Sequence, residues 1–188
     1  MKKPCPARTA SQNTTRAVTI AKMPRSGTQQ PPKQVPRKQV PRKQVPKINP
    51  KYANFELEIK PSKIHRWGVY AAEDIPVRRK VMEYTGERIN RRETKRRSEE
   101  QGRMIYLFTL DSYWTLDGAV GGSGAEYCNH CCDPNIVTEI RSGHIIYMSR
   151  RAIKKGEELT VDYHFAKDIE KYICKCGAAN CRGTINLK

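Results

Sequence analysis

Three cysteines within eight residues, Cys174-x-Cys176-x4-Cys181, form the densest group of metal-ligating side chains in this sequence. Thiolates at that spacing suit zinc, and a structural zinc site closes with four tetrahedral ligands, so one more must come from elsewhere. The stretch Asn129-His130-Cys131-Cys132-Asp133-Pro134-Asn135 offers two candidates, Cys131 and Cys132. The alternative is a set of reduced core cysteines. It fits poorly, because Lys171, Lys175 and Arg182 flank the group. Such cationic neighbours also lower a thiol's pKa and favour the thiolate. Six of the seven cysteines fall within residues 128–181, which reads as metal ligation in a reducing compartment rather than a disulfide framework. Zinc would tether a C-terminal tail of about 25 residues, too short to build its own core.

A second group precedes the cysteines: Gly156-Glu157-Glu158-Leu159-Thr160-Val161-Asp162-Tyr163. With the Asn129–Asn135 stretch, in this order and at this separation, the pattern resembles the core of SET-domain protein lysine methyltransferases that carry a post-SET segment. The family usually reads Asn-His-Ser-Cys-x-Pro-Asn there. The match makes Cys132 the fourth zinc ligand, with Cys174, Cys176 and Cys181, and puts Cys131 at the serine position. Ile64-His65-Arg66-Trp67-Gly68-Val69-Tyr70 resembles the opening motif that cradles S-adenosylmethionine, which implicates His65, Arg66, Trp67 and Gly68. Glycine at 68 allows close backbone approach. Glu83-Tyr84-Thr85-Gly86-Glu87 resembles the next block. Tyr106 matches a tyrosine that touches the cofactor, and Asn129 and His130 match the pair holding its adenine and amino-acid ends. Tyr163 matches the catalytic tyrosine. Tyr84, by motif, is the second catalytic candidate on the channel wall; Tyr147 joins it by strand position alone.

The reaction implied by the resemblance is methyl transfer from a sulfonium to a lysine amine. The amine must be neutral, although free lysine titrates near ~10.4. An apolar aromatic channel and the sulfonium charge would both depress that value, and alignment of nitrogen, carbon and sulfur supplies much of the rate. Two positions depart from the family pattern. Glu126 stands where relatives frequently carry arginine. Val161 stands where they often carry Phe or Tyr, so mono-, di- and trimethylation are not distinguished.

The elements that must position these residues are short. Glu56–Ile59, Trp67–Ala71, Val81–Tyr84, Met104–Leu110, Tyr113–Leu116 and His144–Ser149 have strand character, with Pro76 and Gly86 as punctuation. Residues 90–101 are highly charged, lack a breaker and predict an exposed helix with Glu/Arg pairs. The expected fold is mainly β. The resemblance makes it the SET arrangement: small curved sheets, a pseudoknot-like C-terminal segment, a helical insert near 88–104 and a post-SET zinc clip. Residues 55–166 form the expected catalytic domain and 167–188 the zinc segment.

Charge divides the chain unevenly. Residues 1–55 hold 13 of the 36 lysines and arginines and no acid, leaving 23 basic against 19 acidic side chains in the rest. Nine of the twelve prolines lie in residues 1–50, which include three tandem copies of Lys-Gln-Val-Pro-Arg/Lys over 33–47. Residues 1–54 therefore predict a disordered basic tail, with a partly polyproline-like arm of ~45 Å for the repeats. Three readings stay open for it: an electrostatic arm for nucleic acid or chromatin, a solvated linker, or an organellar transit peptide. No apolar run reaches the roughly 20 residues of a membrane span, so no membrane partner is expected. The resemblance favours histone in nucleosomes as substrate and the nucleus and chromosome as location, with an organelle or the cytoplasm as alternatives. A non-catalytic SET-like binding module, a methyltransferase of a non-histone protein and a zinc-ribbon nucleic-acid binder remain as other readings. Oligomeric state is not readable.

Overall fold

Residues 45–101, 106–165, 167 and 170–187 are described by the computed structural model of the chain. Their short β-branched and aromatic runs become β1 (Leu57–Pro61), β2 (Trp67–Ala71), β3 (Lys80–Tyr84), β4 (Glu87–Asn90), β5 (Leu107–Thr109) and β6 (Trp114–Asp117). The C-terminal half adds β7 (Asn129–His130), β8 (Ile136–Arg141), β9 (His144–Ser149) and β10 (Glu158–Val161); among the described residues the one α-helix, α1, spans Arg91–Gln101. β2 and β9 coincide with the expected runs, and β1 and β3 overlap theirs. β4, β7, β8 and β10 lie outside those runs. Two of them are stabilised by partners distant in sequence: β4 pairs with β6, and β7 pairs with β10.

The strands build three small sheets, ordered β1-β2-β10-β7, β3-β9-β8 and β4-β6-β5. β10 decides the geometry of the site. It runs antiparallel to β2 and parallel to β7, with Thr160 opposite Asn129 and Val161 opposite His130. The C-terminal motif is thereby laid directly beside the Asn129–Cys132 stretch. Val69, Ala71, Val81, Met82, Ile145, Tyr147, Leu159 and Val161 fill the core between the sheets. Val161 is buried and brings no hydroxyl.

The helix is polar on every side, so its stability must come from charge pairs rather than an apolar stripe. Asn90 Oδ1 caps it by accepting the Glu93 N–H at 3.0 Å. Arg97 pins it to the sheet, reaching Glu93, Glu87 and the buried Asp117 at 2.7 Å each. The end of the expected insert and the start of the expected strand at Met104 fall at 102–105, outside the described residues.

The folded body starts before residue 55, which corrects the expected tail boundary. Pro50–Tyr52 form a 3-10 turn, Ala53 bridges Met82, and the Asn54 N–H donates to the Val81 carbonyl at 2.8 Å. Ile48 packs on the core and lies against Gly124, whose φ of 99° few other residues adopt. Burial of a few apolar side chains (Ile48, Ala53, Phe55) offsets the ordering of this segment. Residues 1–44, with most of the repeat array, lie outside the described residues. Among those described, no helix is long and apolar enough to cross a membrane.

Candidate active site and metal centre

The Sγ atoms of Cys132, Cys174, Cys176 and Cys181 lie within 4.8 Å of one another. Cys132 Sγ is 3.7 Å from Cys174 and 3.9 Å from Cys181. Four sulfurs each about 2.3 Å from one zinc stand about 3.8 Å apart in a tetrahedron, so the donor set and spacing fit that ion. Backbone N–H groups add to the fit. Arg182 donates to Cys132 Sγ at 3.4 Å, Gly183 to Cys181 Sγ at 3.4 Å, and Cys132 to Cys176 Sγ at 3.5 Å. Burial opposes ionisation of Cys176, but the backbone N–H groups of Cys132 and Ala178 and the Cys174 and Cys181 sulfhydryls outweigh it and bring its thiol down to about 6. Cys132 and Cys174 go the other way, raised by burial and by neighbouring sulfurs. The expectation of cation-acidified thiols is corrected at those two positions; a bound cation would reverse the sign there.

His130 connects this centre to the tyrosine side of the site. Its Nδ1 accepts the Tyr163 backbone N–H at 3.2 Å, so the ring proton sits on Nε2, which faces Cys132 Sγ at 3.4 Å. Burial pushes the imidazole below its ordinary pKa, in keeping with a neutral ring. Arg182 adds a second tie, holding Asp162 with two parallel bonds of 2.6 and 2.8 Å. Burial pushes the Asp162 carboxyl up, but Arg182 outweighs it and the net pKa is lowered. Stability from this pair is therefore complete above the ordinary carboxylate range near ~4 and lost as the pH falls through the depressed folded-state value. Asp162→Asn is expected to flatten the acid limb of a plot of melting temperature against pH. Identical slopes for variant and wild type would remove the pair from that role.

Tyr163 follows β10 as a partly exposed residue whose hydroxyl turns inward and donates to the Cys128 carbonyl at 2.9 Å. Phe165 lies 5.6 Å from it and the His130 ring 5.5 Å. Behind stand Tyr84 and Tyr147, both buried, 6.2 Å apart. The Tyr84 hydroxyl donates to the Tyr106 carbonyl at 2.6 Å. Burial raises the phenols of Tyr84, Tyr147 and Tyr163, so all three stay protonated through the neutral range. Aromatic contact continues from Phe165 to Tyr172, at 5.7 Å, and so into the cysteine segment.

The opening motif runs into β2, across β10 from β7. Arg66 is exposed with φ 44°, and its carbonyl accepts the Ser62 N–H at 2.9 Å. His65 is exposed, with its pKa lowered by burial of part of the ring and by Arg66 and Lys175, a residue of the cysteine segment. Trp67 opens β2. The Asn129 amide donates to the carbonyls of Trp67 at 2.9 Å and His65 at 3.3 Å, shaping this loop from beneath. Tyr106 packs 5.7 Å from Tyr127, and burial lifts its phenol to about 12. Glu126 accepts the Gly124 N–H at 2.8 Å, and burial raises its carboxyl.

Glu158 is the residue that sequence reasoning missed. Its carboxylate accepts from Asn129 at 2.7 Å, Ser62 at 2.8 Å and Tyr70 at 3.0 Å. It also fills the space beside Gly68, where a Cβ would come within 2.3 Å of Oε1. Its signal in the sequence was its place inside the Gly156–Tyr163 motif, where it was given no role of its own. Gly68→Ala is expected to displace this carboxylate, strand its donors and cost on the order of 1–3 kcal/mol. Thermal unfolding would show it as a fall of several degrees with zinc content unchanged; an unaltered midpoint would count against the hub.

Three small sheets with a four-thiolate segment closed against a tyrosine cluster define a β-rich domain with an attached metal clip. The chain belongs to the SET domain family, whose model matches residues 66–164. It is 42% identical over 134 residues to Histone-lysine N-methyltransferase 2D of Homo sapiens, covering 66% of this chain and 2% of that protein. It is 43% identical over 136 residues to Histone-lysine N-methyltransferase trr of Drosophila melanogaster, covering 66% of this chain and 6% of that protein. Histone-lysine N-methyltransferase, H3 lysine-4 specific, of Saccharomyces cerevisiae is 38% identical over 137 residues, with 66% and 13% covered. The chain thus spans a small part of the length of these curated relatives.

Proposed function

We propose that this chain transfers methyl groups from S-adenosylmethionine to the side-chain amine of a protein lysine, with histone as the substrate class. The observation that carries the reading is Tyr163, a partly exposed residue whose buried, protonated phenol is anchored on the Cys128 carbonyl, ahead of the buried Tyr84 and Tyr147. A fixed hydroxyl in aromatic surroundings suits the orientation of an amine and a methyl group without acting as a base. The same surroundings disfavour an ammonium and so favour the neutral nucleophile.

S-adenosylmethionine, when bound, supplies the electrophilic methyl. His65, Arg66, Trp67, Gly68 and Tyr106 would hold it, with Asn129 and His130 beneath. Asn129 and His130 act in this reading largely by fixing the loop and the Tyr163 backbone, since their side-chain nitrogens already have internal partners. Cys132, Cys174, Cys176 and Cys181 would hold a structural zinc, which keeps Lys175 beside the opening loop.

The names of the relatives direct the substrate test to histones, and to lysine-4 of histone H3 first. Nuclear chromatin is the matching location. A protein with net charge +17 is poorly suited to attract a free basic histone tail, and an N-terminal arm seated on nucleosomal DNA would resolve that conflict. The test is labelled methyl transfer to nucleosomes, free histones and total cell lysate, with Tyr163→Phe as control. Nucleosomes are expected to be the better substrate at low salt, with the advantage lost on removing residues 1–44. Equal labelling of both histone pools, insensitive to that truncation, would sink the arm. Cofactor binding without labelling of any pool would favour a non-catalytic binding module.

A further inference from the structure

The repeat array of residues 33–47 sets three lysines in one frame, Lys33, Lys38 and Lys43, each followed by Gln-Val-Pro, with six basic side chains and no acid. Its end, Val45 to Lys47, lies within the described residues and is already docked. The Lys47 carbonyl stands 3.2 Å from the Cβ position of Gly124, Ile48 fills the space beside it, and the Asn49 N–H donates to the Ser123 carbonyl at 2.9 Å. Both contacts lead into the tyrosine site. The Ser123 hydroxyl donates to the Glu83 carbonyl at 2.6 Å, next to Tyr84. From Gly124 the turn Ala125–Tyr127 runs to Cys128, whose carbonyl accepts the Tyr163 hydroxyl at 2.9 Å. Such a turn rises about 2 Å per residue, so the root of the array stands on the order of 15 Å from that hydroxyl.

We propose that the repeat lysines are substrates of the chain's own active site, methylated in cis at Lys33 and Lys38. The inference rests on the methyl-transfer reading above and names a substrate for that same site. Reach selects the lysines. Counted back from the docked Lys47 along an extended chain at about 3.1 Å per residue, Lys43 lies ~12 Å out, Lys38 ~28 Å and Lys33 ~43 Å. The Lys43 backbone falls short of the hydroxyl even on a straight path. Lys38 and Lys33 have length to leave the Gly124 contact, turn, and lay a side chain into the site. Lys47 is excluded, because its own backbone is held against Gly124.

Charge favours the tethered route. A chain of net charge +17 repels a cationic segment arriving from solution. A covalent tether removes that encounter and holds the lysine near the site at an effective concentration in the ~mM range. In the transfer itself the lysine ammonium first gives a proton to solvent. The amine lone pair then bonds to the methyl carbon as the carbon–sulfur bond breaks. The electron pair of that bond stays on sulfur, which becomes a thioether, and the positive charge passes from sulfonium to nitrogen. The methylated lysine stays cationic, so the arm keeps its charge for nucleic acid.

The experiment incubates the zinc-loaded full chain with labelled S-adenosylmethionine and no other protein, over a wide range of dilution, and maps labelled lysines by mass spectrometry. Label is expected at Lys38 and Lys33, about tenfold less at Lys43 and none at Lys47, at a rate per molecule that dilution does not change. Full-length Tyr163→Phe mixed with wild type should stay unlabelled. Label that spreads to the variant, or a rate that falls in proportion to dilution, would overturn transfer in cis. A readout without turnover uses a photo-reactive phenylalanine in place of Val40. Irradiation of dilute protein is expected to cross-link it within the same molecule to the segment holding Tyr163 and Phe165, and cross-links confined to other segments would overturn the seating. Histones labelled in parallel separate the two failures. Labelled histones with blank repeats would overturn this proposal alone, whereas no label in any tube would overturn the enzymatic reading and self-methylation with it.

Discussion

Removal of zinc by a strong chelator is expected to release residues 170–187 from the body while the three sheets stay folded. The segment has almost no core of its own. Ile173 is 80% exposed, and the buried apolar cluster among the described residues ends at Val161. A few backbone bonds remain, such as Cys174 N–H to Gly183 carbonyl at 3.1 Å and Ile185 N–H to Tyr172 carbonyl at 2.9 Å. These do not offset the entropy of ordering some eighteen residues at roughly 1 kcal/mol or more each. Structural zinc supplies on the order of 10 kcal/mol at neutral pH, which makes metal binding and segment folding one event. Hydrogen exchange should therefore lose protection across 170–187 and keep it in β2, β3, β9 and β10. Methyl transfer should fall to near background, because Lys175, Arg182 and Tyr172 would no longer flank the site. Unchanged protection after verified metal loss would show that packing alone holds the clip.

Tyr163→Phe carries the second large effect. The substitution keeps the ring against Phe165 and His130 and removes only the hydroxyl that bonds the Cys128 carbonyl. Loss of that bond costs folding about 1 kcal/mol. Loss of a preorganised polar group at a reacting centre costs far more, about 100- to 1000-fold in kcat by analogy with single oxyanion donors. The expected result is a collapse of kcat with a small change in melting temperature, unchanged zinc content and similar S-adenosylmethionine affinity. The Tyr163 phenol is raised by burial, so the wild-type rate should climb with pH as the substrate amine deprotonates, with no fall from Tyr163 ionisation in the neutral range. A variant that retains near-normal kcat would remove the hydroxyl from the chemistry.

Reading the fold from the chain succeeded where one strand carried its own pattern. Trp67–Ala71 and His144–Ser149 are apolar and β-branched or aromatic enough to declare themselves. Glu87–Asn90 is polar and Asn129–His130 is only two residues long, so both are strands because of their partners. The early start of the body was hidden for a similar reason. Ile48 and Asn54 lie in a proline-rich basic stretch whose composition argues for disorder, and only Gly124 and Val81 show where they dock.

By itself the sequence determined the identity of the chemical groups and their local spacing: three thiols within eight residues, an Asn-His pair, and a tyrosine closing the Gly156–Tyr163 motif. Such spacings depend on covalent geometry and survive any packing. Tertiary structure decided which distant groups meet. It brought Cys132 to within 3.7 Å of a partner 42 residues away, turned His130 so that one nitrogen serves Tyr163 and the other faces Cys132, and put Glu158 beneath Gly68. The contacts of Tyr163 with His130 and of Glu158 with Gly68 follow from β10 lying between β2 and β7. Pairing between strands is set by which faces can be buried together, a property of the whole chain and of no single motif.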